Sequence, residues 1–434
     1  MRLNFLPLAL RPSFHISCPV RTRGLMSGIY LDHNATSRPL PSVVLAITAA
    51  LEGPCGNPGS AHEDGHRAAR IVEDTREALA SLLGNPAGRI VFTSGGTEAN
   101  NLALKGIADA RLAGNHARHA VTTAIEHPSV GTVCRLLSRN GWEITHVPPG
   151  PGGIVEADAV ADAIRRDSAF CSVMLANNET GHFQPVAAIS AHCRELSVPF
   201  HVDAVQAVGR APLEIDALAA DLLTLSFHKS HGPPGIGCLF VRDGVRIMAR
   251  VHGGEQEGGL RAGTPDIPAL AGLHAWIREV RKPAWSAGLA KCTTLRDRLE
   301  EGIVAALPGS SVNGDRAGRL PNTTHLYLGD VPGRALVNAL ALEGIAASRG
   351  SACAAGDPRP SHVLRAMGMD ASRVDGSIRF SLGIHTTEED IDEVLRRIPG
   401  AVESARAYAD IAQGQAAPPG DGSDECCGQP LFPA

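Results

Sequence analysis

Short apolar segments alternate with segments of helical periodicity between about residues 61 and 265. The clearest helical pattern covers 62–83, where Ala68, Ile71, Val72, Leu79 and Leu82 recur at helical spacing. Alternating strands and helices are typical of a mostly parallel β-sheet that is covered by helices. We therefore predict an α/β domain in which one face of this first long helix packs on the sheet.

The predicted strands of this domain cover 89–93, 120–125, 172–176, 199–203, 222–226 and 236–241. Polar or glycine-rich residues closely follow most of them. In open α/β sheets, ligands bind beyond the carboxyl ends of the strands. The polar residues just past these ends are therefore candidate site residues, namely Ser94, Gly96, Thr97, Glu126, His127, Asn177, Asn178, Asp203, Gln206, His228 and Lys229.

The pattern changes after Pro283. It predicts a helix to about residue 307, strands near 325–328, 345–348 and 377–381, and a terminal helix from a capping box at Thr387 and Asp390 to about Ile411. We predict a large domain over 40–282 and a smaller α+β domain over 28–39 and 283–411. Residues 1–27 are an N-terminal extension, and 412–434 read as a disordered tail rich in Pro, Gly, Asp and Gln.

Composition narrows the function classes. The net charge of -5 gives no basic surface for nucleic acid, and no apolar run reaches the roughly 18 residues of a membrane-spanning helix. Ten cysteines scattered through the chain favour a reducing compartment, so we expect a cytoplasmic protein. Residues 1–27 hold four arginines and no acid, which fits either a mitochondrial transit peptide or a start codon assigned before Met26. We predict no metal site.

A glycine-rich turn at 93–98 lies between a predicted strand and a helix that starts near Ala99. Unpaired backbone N–H groups at such a helix start bind phosphate, although an ordinary strand-to-helix turn uses the same residues. Asp203, with Gln206 three residues later, either caps a helix or keeps the nitrogen of a pyridine cofactor protonated. Lys229 is either a surface lysine or a nucleophilic amine that forms a Schiff base.

Cys353 lies among small residues in a predicted mobile loop, which suits an accessible nucleophilic thiol. A small core hydrophobe is the alternative for any single cysteine, and we apply that interpretation to Cys134, Cys171, Cys193 and Cys238. Arg379 stands in a strand between apolar neighbours. It either captures a carboxylate through two parallel hydrogen bonds or forms a structural ion pair.

In this order, the motifs resemble those of the cysteine desulfurases, a branch of the class V aminotransferase group. The resemblance runs from Tyr30 to the end of the terminal helix and rests on GNPGSAHEDG, FTSGGTEANNLALKG, TAIEHPSV, MLANNETG, HVDAVQAVG, SFHKSHGPPGIG, LRAGT, SRGSACAAG and IRFSLG. It implies a pyridoxal 5'-phosphate (PLP) enzyme of fold type I, with a mostly parallel seven-stranded sheet in the large domain.

Carried over by residue, the resemblance makes Lys229 the Schiff-base lysine, Asp203 the partner of the pyridine nitrogen and His127 the residue that stacks on the ring and moves protons. Gln206 bonds the phenolic oxygen beside Asn178, and Arg379 with Asn34 binds the substrate carboxylate. The implied phosphate-binding residues are Gly96, Thr97, Ser226, His228 and Thr264. Because Thr264 reaches the neighbouring subunit's phosphate, the resemblance implies a homodimer.

The implied reaction converts L-cysteine to L-alanine and leaves the sulfur as a persulfide on Cys353. The sulfur then passes to an acceptor protein, for iron–sulfur cluster assembly or tRNA thiolation. A selenocysteine lyase and a catalytically silent partner of a sulfur-transfer assembly are the alternatives.

The chain departs from the family pattern at Arg349, His231 and Pro234. It also departs at the tail pair Cys426 and Cys427, which is either incidental or a sulfur-relay or metal contact.

Overall fold

The structure is a computed structural model, and it describes residues 28–114, 118–350 and 360–412. The predicted N-terminal extension, the predicted tail and the predicted loop around Cys353 lie outside these ranges. Strands β1 to β12 of the described chain are, in order, Ile29–Tyr30, Gly88–Thr93, His119–Thr123, Glu143–Val147, Phe170–Met174, Phe200–Asp203, Leu222–Ser226, Gly237–Arg242, Ser311–Val312, Thr323–Tyr327, Ile345–Ala346 and Ser377–Ser381.

Helices α1 to α13 of the described chain are Pro41–Glu52, Glu63–Leu82, Gly96–Ala113, Pro128–Arg139, Ala157–Ala163, Val186–Glu195, Ile215–Leu218, Ile267–Val280, Pro283–Ala306, Gly333–Leu342, His362–Ala366, Ala371–Asp375 and Glu388–Ala412. None of them is long and apolar enough to cross a membrane. His62 caps α2 by accepting a hydrogen bond from the backbone N–H of Gly65, and the helix buries Ala68, Val72 and Leu79.

The central sheet has seven strands in the order β2-β8-β7-β6-β5-β3-β4. Strands β4, β3, β5, β6 and β7 pair in parallel, and β8 runs antiparallel to both of its neighbours. Every residue of β3, β5, β6 and β7 is buried, because helices cover both faces of the sheet. The mostly parallel seven-stranded sheet is therefore confirmed.

The carboxyl ends of these parallel strands meet at one edge of the sheet. Glu126 and His127 follow β3, Asn177 and Asn178 follow β5, Asp203 ends β6, and Lys229 follows β7. This arrangement places the predicted polar residues on one side of the large sheet.

The small α+β part contains the antiparallel sheet β12-β10-β9 and the parallel pair β1 and β11. Its core is a separate apolar cluster in which residues of α9, α10 and α13 pack on these strands. The terminal helix has the predicted capping box: the backbone N–H of Asp390 donates to Thr387 Oγ1 at 3.1 Å, and the backbone N–H of Thr387 donates to Asp390 Oδ2 at 2.9 Å.

Several elements differ from the sequence prediction. The strand predicted at 120–125 is His119–Thr123, and the strand predicted at 172–176 is Phe170–Met174. Strand β4 was not predicted, because an edge strand with exposed polar residues lacks the apolar run of its buried neighbours. The helix predicted to start near Ala99 starts at Gly96.

Candidate active site

One cavity at the carboxyl edge of the sheet brings together most of the predicted site residues. Both parts of the chain contribute, since Asn34 and Arg379 face residues that follow strands of the large sheet. The cavity is lined by Asn34, Gly96, Thr97, Asn100, His127, Ser129, Met174, Asn178, Asp203, Val205, Gln206, Ser226, His228, Lys229 and Arg379, among others.

Asp203 ends β6 and is buried. Its Oδ2 accepts a hydrogen bond from Asn100 Nδ2 at 2.7 Å, and its Oδ1 accepts one from the backbone N–H of Val205 at 3.0 Å. Burial raises the pKa of this carboxyl, although the two hydrogen bonds and the charge of Lys229 oppose that rise. The carboxylate is therefore held in place, and a cationic group in the cavity would stabilise its charge further.

Lys229 follows β7 in the short 3-10 helix His228–Ser230. Its backbone carbonyl oxygen accepts hydrogen bonds from Ser37 Oγ at 2.9 Å and from the guanidinium of Arg210. Two side chains from other segments thus fix the backbone at the lysine. The lysine side chain lines the cavity together with Asp203, which suits an amine that has to react at a defined position.

His127 precedes α4 and caps it, because its Nδ1 accepts a hydrogen bond from the backbone N–H of Ser129 at 3.2 Å. The same ring nitrogen lies 2.7 Å from Ser129 Oγ. Burial, with a smaller contribution from the charge of Lys229, lowers the pKa of His127 to about 3. The imidazole is therefore neutral at neutral pH.

The glycine-rich turn leads directly into α3. Gly96 is the first residue of this helix, and a Cβ atom at that position would lie 2.7 Å from Val205 Cγ2. Only a residue without a side chain lets the helix start approach the turn after Asp203 this closely. Thr97, Ser226 and His228 line the same cavity as Gly96. An anion bound at the helix start would therefore meet hydroxyl and imidazole groups as well.

Burial, with smaller contributions from the charges of Lys229 and Arg210, lowers the pKa of His228 to about 4. Its Nδ1 lies 3.1 Å from Thr36 Oγ1. His228 is therefore a neutral hydrogen-bonding group at neutral pH.

Arg379 lies in β12 and is almost completely buried. Its Nη2 donates to Asp32 Oδ1 at 2.5 Å and its Nη1 to the backbone carbonyl oxygen of Asn178 at 2.8 Å. Its Nε has no hydrogen-bond partner in the structure. The structural ion pair, one of the two alternatives for Arg379, is therefore present with Asp32. Capture of a substrate carboxylate stays a prediction, and the position of Arg379 in the cavity wall supports it.

Asn34 joins the two sheets. Its Nδ2 donates to Thr323 Oγ1 at 2.9 Å and to the backbone carbonyl oxygen of Asn178 at 3.2 Å. The Nε2 of Gln206 donates to the backbone carbonyl oxygen of Asn34 at 3.1 Å. Asn178 Oδ1 is buried without a hydrogen-bond partner among the residues that the structure describes.

Among the described residues, four of the candidate site residues do not line this cavity, namely Ser94, Glu126, Asn177 and Thr264. Thr264 is exposed on the surface of its own chain, and Cys353 lies outside the described residues. On the carboxyl side of the segment that contains Cys353, Ser361 Oγ donates to Glu179 Oε2 at 2.5 Å. On its amino side, a Cβ atom at Gly350 would lie 2.8 Å from the same oxygen.

Asn100, Arg210 and Asp32 are the residues of this site that the sequence prediction missed. Asn100 stands in the TEANN run directly after the glycine-rich turn, so its place on the first turns of α3 is a usable signal. Arg210 and Asp32 act through contacts between distant segments, which no local pattern reveals.

The positions that depart from the family pattern have ordinary structural partners. Arg349 forms an ion pair with Asp375, with Nη2 and Oδ1 2.6 Å apart. His231 is buried in a left-handed backbone conformation with a φ of 64°, and its Nδ1 lies 2.9 Å from the backbone carbonyl oxygen of Arg38. Nothing in the structure explains Pro234.

A second cavity, of about 590 Å³, lies at the opposite edge of the large sheet, between the ends of α3 and α6. It is larger, but it contains none of the predicted site residues. Two of its three arginines, Arg111 and Arg194, stand near helix carboxyl ends, where a cation is stabilised by the helix dipole. We therefore assign the active site to the cavity that contains Lys229.

Comparison with known proteins gives the same family. The model of the class-V aminotransferase family matches residues 29–394. A cysteine desulfurase of Nostoc sp. (strain PCC 7120) is 43% identical over 391 residues, which are 90% of this chain and 97% of that protein. An IscS-like cysteine desulfurase of Mycobacterium tuberculosis is 41% identical over 89% of this chain and 99% of that protein.

Among solved structures, a NifS-like protein superimposes with a TM-score of 0.80 at 33% identity and covers 87% of this chain and 99% of its own. A NifS-like protein from Rickettsia africae gives a TM-score of 0.77 at 30% identity, over 87% of this chain and 99% of its own. The chain therefore belongs to the class-V aminotransferase family, in the branch of the cysteine desulfurases.

Proposed function

We propose that this chain is a PLP-dependent cysteine desulfurase that converts L-cysteine to L-alanine and passes the sulfur to Cys353. The observation that carries the proposal is the meeting of Lys229, Asp203 and His127 at one cavity, beside the glycine-rich start of α3. An amine, a buried acid and a neutral imidazole are the groups that this chemistry needs.

The residues of the cavity fit PLP. Lys229 is the amine for its aldehyde carbon, and Asp203 is a buried acid that a protonated pyridine nitrogen would neutralise. The start of α3 with Thr97, Ser226 and His228 accommodates the phosphate. The unpartnered Asn178 Oδ1 and Asn100 Oδ1 are further polar atoms of the wall that a ligand or water can satisfy. When bound, PLP supplies an electron sink that stabilises negative charge at the substrate's Cα.

Arg379 and Asn34 orient the substrate. The unpartnered Nε of Arg379 is a donor for the carboxylate of L-cysteine, and Asp32 fixes the guanidinium in the plane from which it donates. Asn34 stands beside it through the shared contact with the carbonyl oxygen of Asn178. The substrate is thereby held with its amino group toward Lys229.

His127 takes part in proton transfer. Because its pKa is about 3, the ring is neutral at neutral pH, and Ser129 fixes its orientation through Nδ1. Because Nδ1 accepts a hydrogen bond from the backbone N–H of Ser129, the proton of the neutral ring is on Nε2. We assign proton transfer at the reacting atoms to this Nε2.

Cys353 receives the sulfur. Its thiolate attacks the sulfur of the substrate, an S–S bond forms, and the C–S bond of the substrate breaks. The electron pair of that bond remains on the three-carbon fragment, which leaves as L-alanine after protonation. The persulfide sulfur then goes to an acceptor protein, in iron–sulfur cluster assembly or tRNA thiolation.

We also propose a homodimer with shared sites. Helix α1 exposes Val44, Leu45 and Leu51, and the segment before Thr264 exposes Met248 and Val251. Large apolar side chains at a surface are typical of protein–protein contacts. With Thr264 itself exposed, a second copy that covers these side chains would bring its phosphate site to Thr264.

The six cysteines that the structure describes are all free thiols, which fits a reducing compartment. We propose a cytoplasmic location, with the mitochondrion as the alternative if residues 1–27 are a transit peptide.

Release of alanine from L-cysteine in the presence of a thiol reductant tests the function. The purified chain and its Cys353→Ala variant are compared, and the PLP absorbance of both is recorded. We expect the parent to release alanine and the variant to keep its cofactor colour without turnover. Yellow protein without alanine release from either would contradict desulfuration of cysteine, and L-selenocysteine would then be the substrate to test.

A further inference from the structure

We propose that Arg210 is a positioning residue of the cofactor site, which orients the amide of Gln206 toward bound PLP, fixes the amide of Asn34 and places a positive charge behind Lys229. This inference rests on the proposed cofactor site and goes beyond the roles assigned above. Arg210 does not line the cavity; it lies directly behind the residues that do.

The contacts of Arg210 converge on three segments of the site. Its Nη1 donates to Gln206 Oε1 at 2.6 Å and to Asn34 Oδ1 at 2.9 Å. Its Nη2 donates to the backbone carbonyl oxygen of His33 at 3.0 Å and to that of Lys229. One side chain thus connects the segment around Asn34, the turn after Asp203 and the lysine itself.

These contacts determine which way the two amides face. A guanidinium only donates hydrogen bonds, so the atom of Gln206 and of Asn34 that faces it has to be oxygen. The amide nitrogen of Gln206 then points away from Arg210, where one of its hydrogens goes to the carbonyl oxygen of Asn34. Gln206 lines the cavity, so its second amide hydrogen would be the donor to the phenolic oxygen of bound PLP.

Arg210 is also a buried cation without an acid. It is 7% exposed, and among the residues that the structure describes no carboxylate forms an ion pair with it. Burial lowers its pKa to about 9, so the group remains charged at neutral pH. Most buried charges in proteins are paired, and an unpaired one is costly unless it serves a site.

The charge acts on Lys229. The other ionisable groups in the cavity wall are His127, Asp203, His228 and Arg379. A cation behind the lysine backbone opposes a second positive charge on the nitrogen that joins Lys229 to PLP, and a Gln206 donor to the phenolic oxygen acts in the same direction. Both effects lower the pKa of that nitrogen.

The test uses the full chain loaded with PLP, with Arg210→Met and Arg210→Lys. The pKa of the Lys229 linkage is read from the visible cofactor absorbance between pH 6 and 9, and the PLP dissociation constant from equilibrium dialysis. For Arg210→Met we expect the pKa to rise by about 1 and PLP to bind about tenfold more weakly, since a lost hydrogen bond to a charged group is worth about that much. For Arg210→Lys we expect a linkage pKa close to that of the parent, because the positive charge is retained. We expect weaker PLP binding, because one ammonium cannot hold both amides.

Arg296→Met is the matched control. Arg296 is also buried, donates to the carbonyl oxygen of Leu320 and does not line the cavity. For Arg296→Met we expect the pKa of the Lys229 linkage and the PLP affinity to equal those of the parent. Thermal unfolding of the PLP-free proteins identifies a variant that fails to fold; in that case Arg210→Lys alone decides.

A double variant separates positioning from simple loss of structure. If Arg210 acts through Gln206, then Arg210→Lys in a Gln206→Ala background should weaken PLP binding by less than it does in the parent. Equal pKa and equal affinity in parent and Arg210 variants would overturn the inference, even if the variants melt earlier. A parent chain that binds no PLP would overturn the proposed function as well, so the two failures are distinguishable.

Discussion

The charge of Asp203 is costly when the cavity holds no cation. Its pKa is raised by burial, so the stability of the PLP-free chain falls as the pH rises from the unfolded-state pKa to the higher folded-state pKa. Its neighbour Asn100 has a buried Oδ1 without a hydrogen-bond partner in the structure. If residue 203 were an asparagine, rotation of the Asn100 amide would turn its oxygen toward the amide of residue 203. The site is thus built for a bound cation rather than for stability.

We therefore expect Asp203→Asn to raise the melting temperature of the PLP-free chain at pH 8 while weakening PLP binding at least tenfold, since a cation–carboxylate contact is lost. Differential scanning fluorimetry of PLP-free protein and dialysis of the loaded protein measure the two effects. A variant that melts earlier than the parent at pH 8 and binds PLP equally well would contradict this account of Asp203.

Glu126 is a second buried acid, beneath the predicted catalytic histidine. Its Oε1 accepts hydrogen bonds from Thr123 Oγ1 at 2.6 Å and from the backbone N–H of Met174 at 2.9 Å. Burial nevertheless raises its pKa to about 8, and the charge of Asp203 adds to the rise. The folded chain therefore keeps a proton on Glu126 at neutral pH, while the unfolded chain has lost it.

This difference makes the parent lose stability between about pH 4.5 and pH 8, because the folded state binds the extra proton there. For Glu126→Gln, which is neutral at every pH, we expect that loss to disappear. The free energies of unfolding of the two proteins should diverge by roughly 3 kcal/mol from pH 5 to pH 8. Urea unfolding at both pH values checks this, and parallel pH profiles of parent and variant would show that Glu126 ionises normally.

Among the elements of the fold, the segment that carries Thr264 is fixed by ion pairs to helices α2 and α3 and by a hydrogen bond from strand β2. Glu257 accepts hydrogen bonds from Arg76 Nη1 at 2.9 Å and from the backbone N–H of Phe92 at 2.9 Å. Further along, Arg261 Nε donates to Glu98 Oε1 at 2.9 Å. Phe92 lies in the strand before the glycine-rich turn and Glu98 in the helix after it, whereas Arg76 lies in α2. The position of Thr264 is therefore coupled to the phosphate-binding turn of its own chain.

Arg261→Met removes one of these ion pairs. If Thr264 completes the phosphate site of a second copy, we expect PLP to dissociate several times faster from this variant, while the dimer is retained. The rate is measured by transfer of PLP to an excess of an apo-enzyme that traps it. The matched control is Arg298→Met, which breaks an exposed ion pair with Asp392 between α9 and α13. Equal dissociation rates for parent and both variants would rule out a role of this segment in cofactor retention.

The sequence predicted those elements whose pattern is local. Strands β6 and β7 are buried apolar runs with a polar residue at or after the end, and Arg379 stands between apolar neighbours inside β12. These patterns made Asp203, Lys229 and Arg379 candidates without a structure. Strand β4 has no such run. Asn34 and Arg379 meet the large sheet only through long-range contacts, and the bonds between Arg210 and Gln206 depend on a turn whose geometry no periodicity encodes.

At the scale of the whole molecule, exposed apolar side chains distinguish α1 from most other surfaces. Leu45 is 70% exposed and Leu51 is 69% exposed on this helix, whose opposite side packs on α8. A monomer gains nothing from such exposure, because each apolar side chain costs free energy in water. A second copy that covers α1 would remove this cost. Thr264 of each copy would then complete the phosphate site of the other.

Leu45→Glu should therefore convert the protein to monomers, since a carboxylate at a buried apolar contact is not solvated. The monomer should remain folded, because the substitution replaces a side chain that is exposed in the single chain. It should also lose PLP on gel filtration, since each site then lacks Thr264 of the other copy. Leu342→Glu on α10 is the matched control, because Leu342 is 90% exposed in the small part of the chain. Sedimentation velocity with absorbance at the cofactor band reports the oligomeric state and the bound PLP at once. A Leu45→Glu protein that stays dimeric would show that the interface does not involve α1. A yellow, active monomer would show that each chain completes its own site.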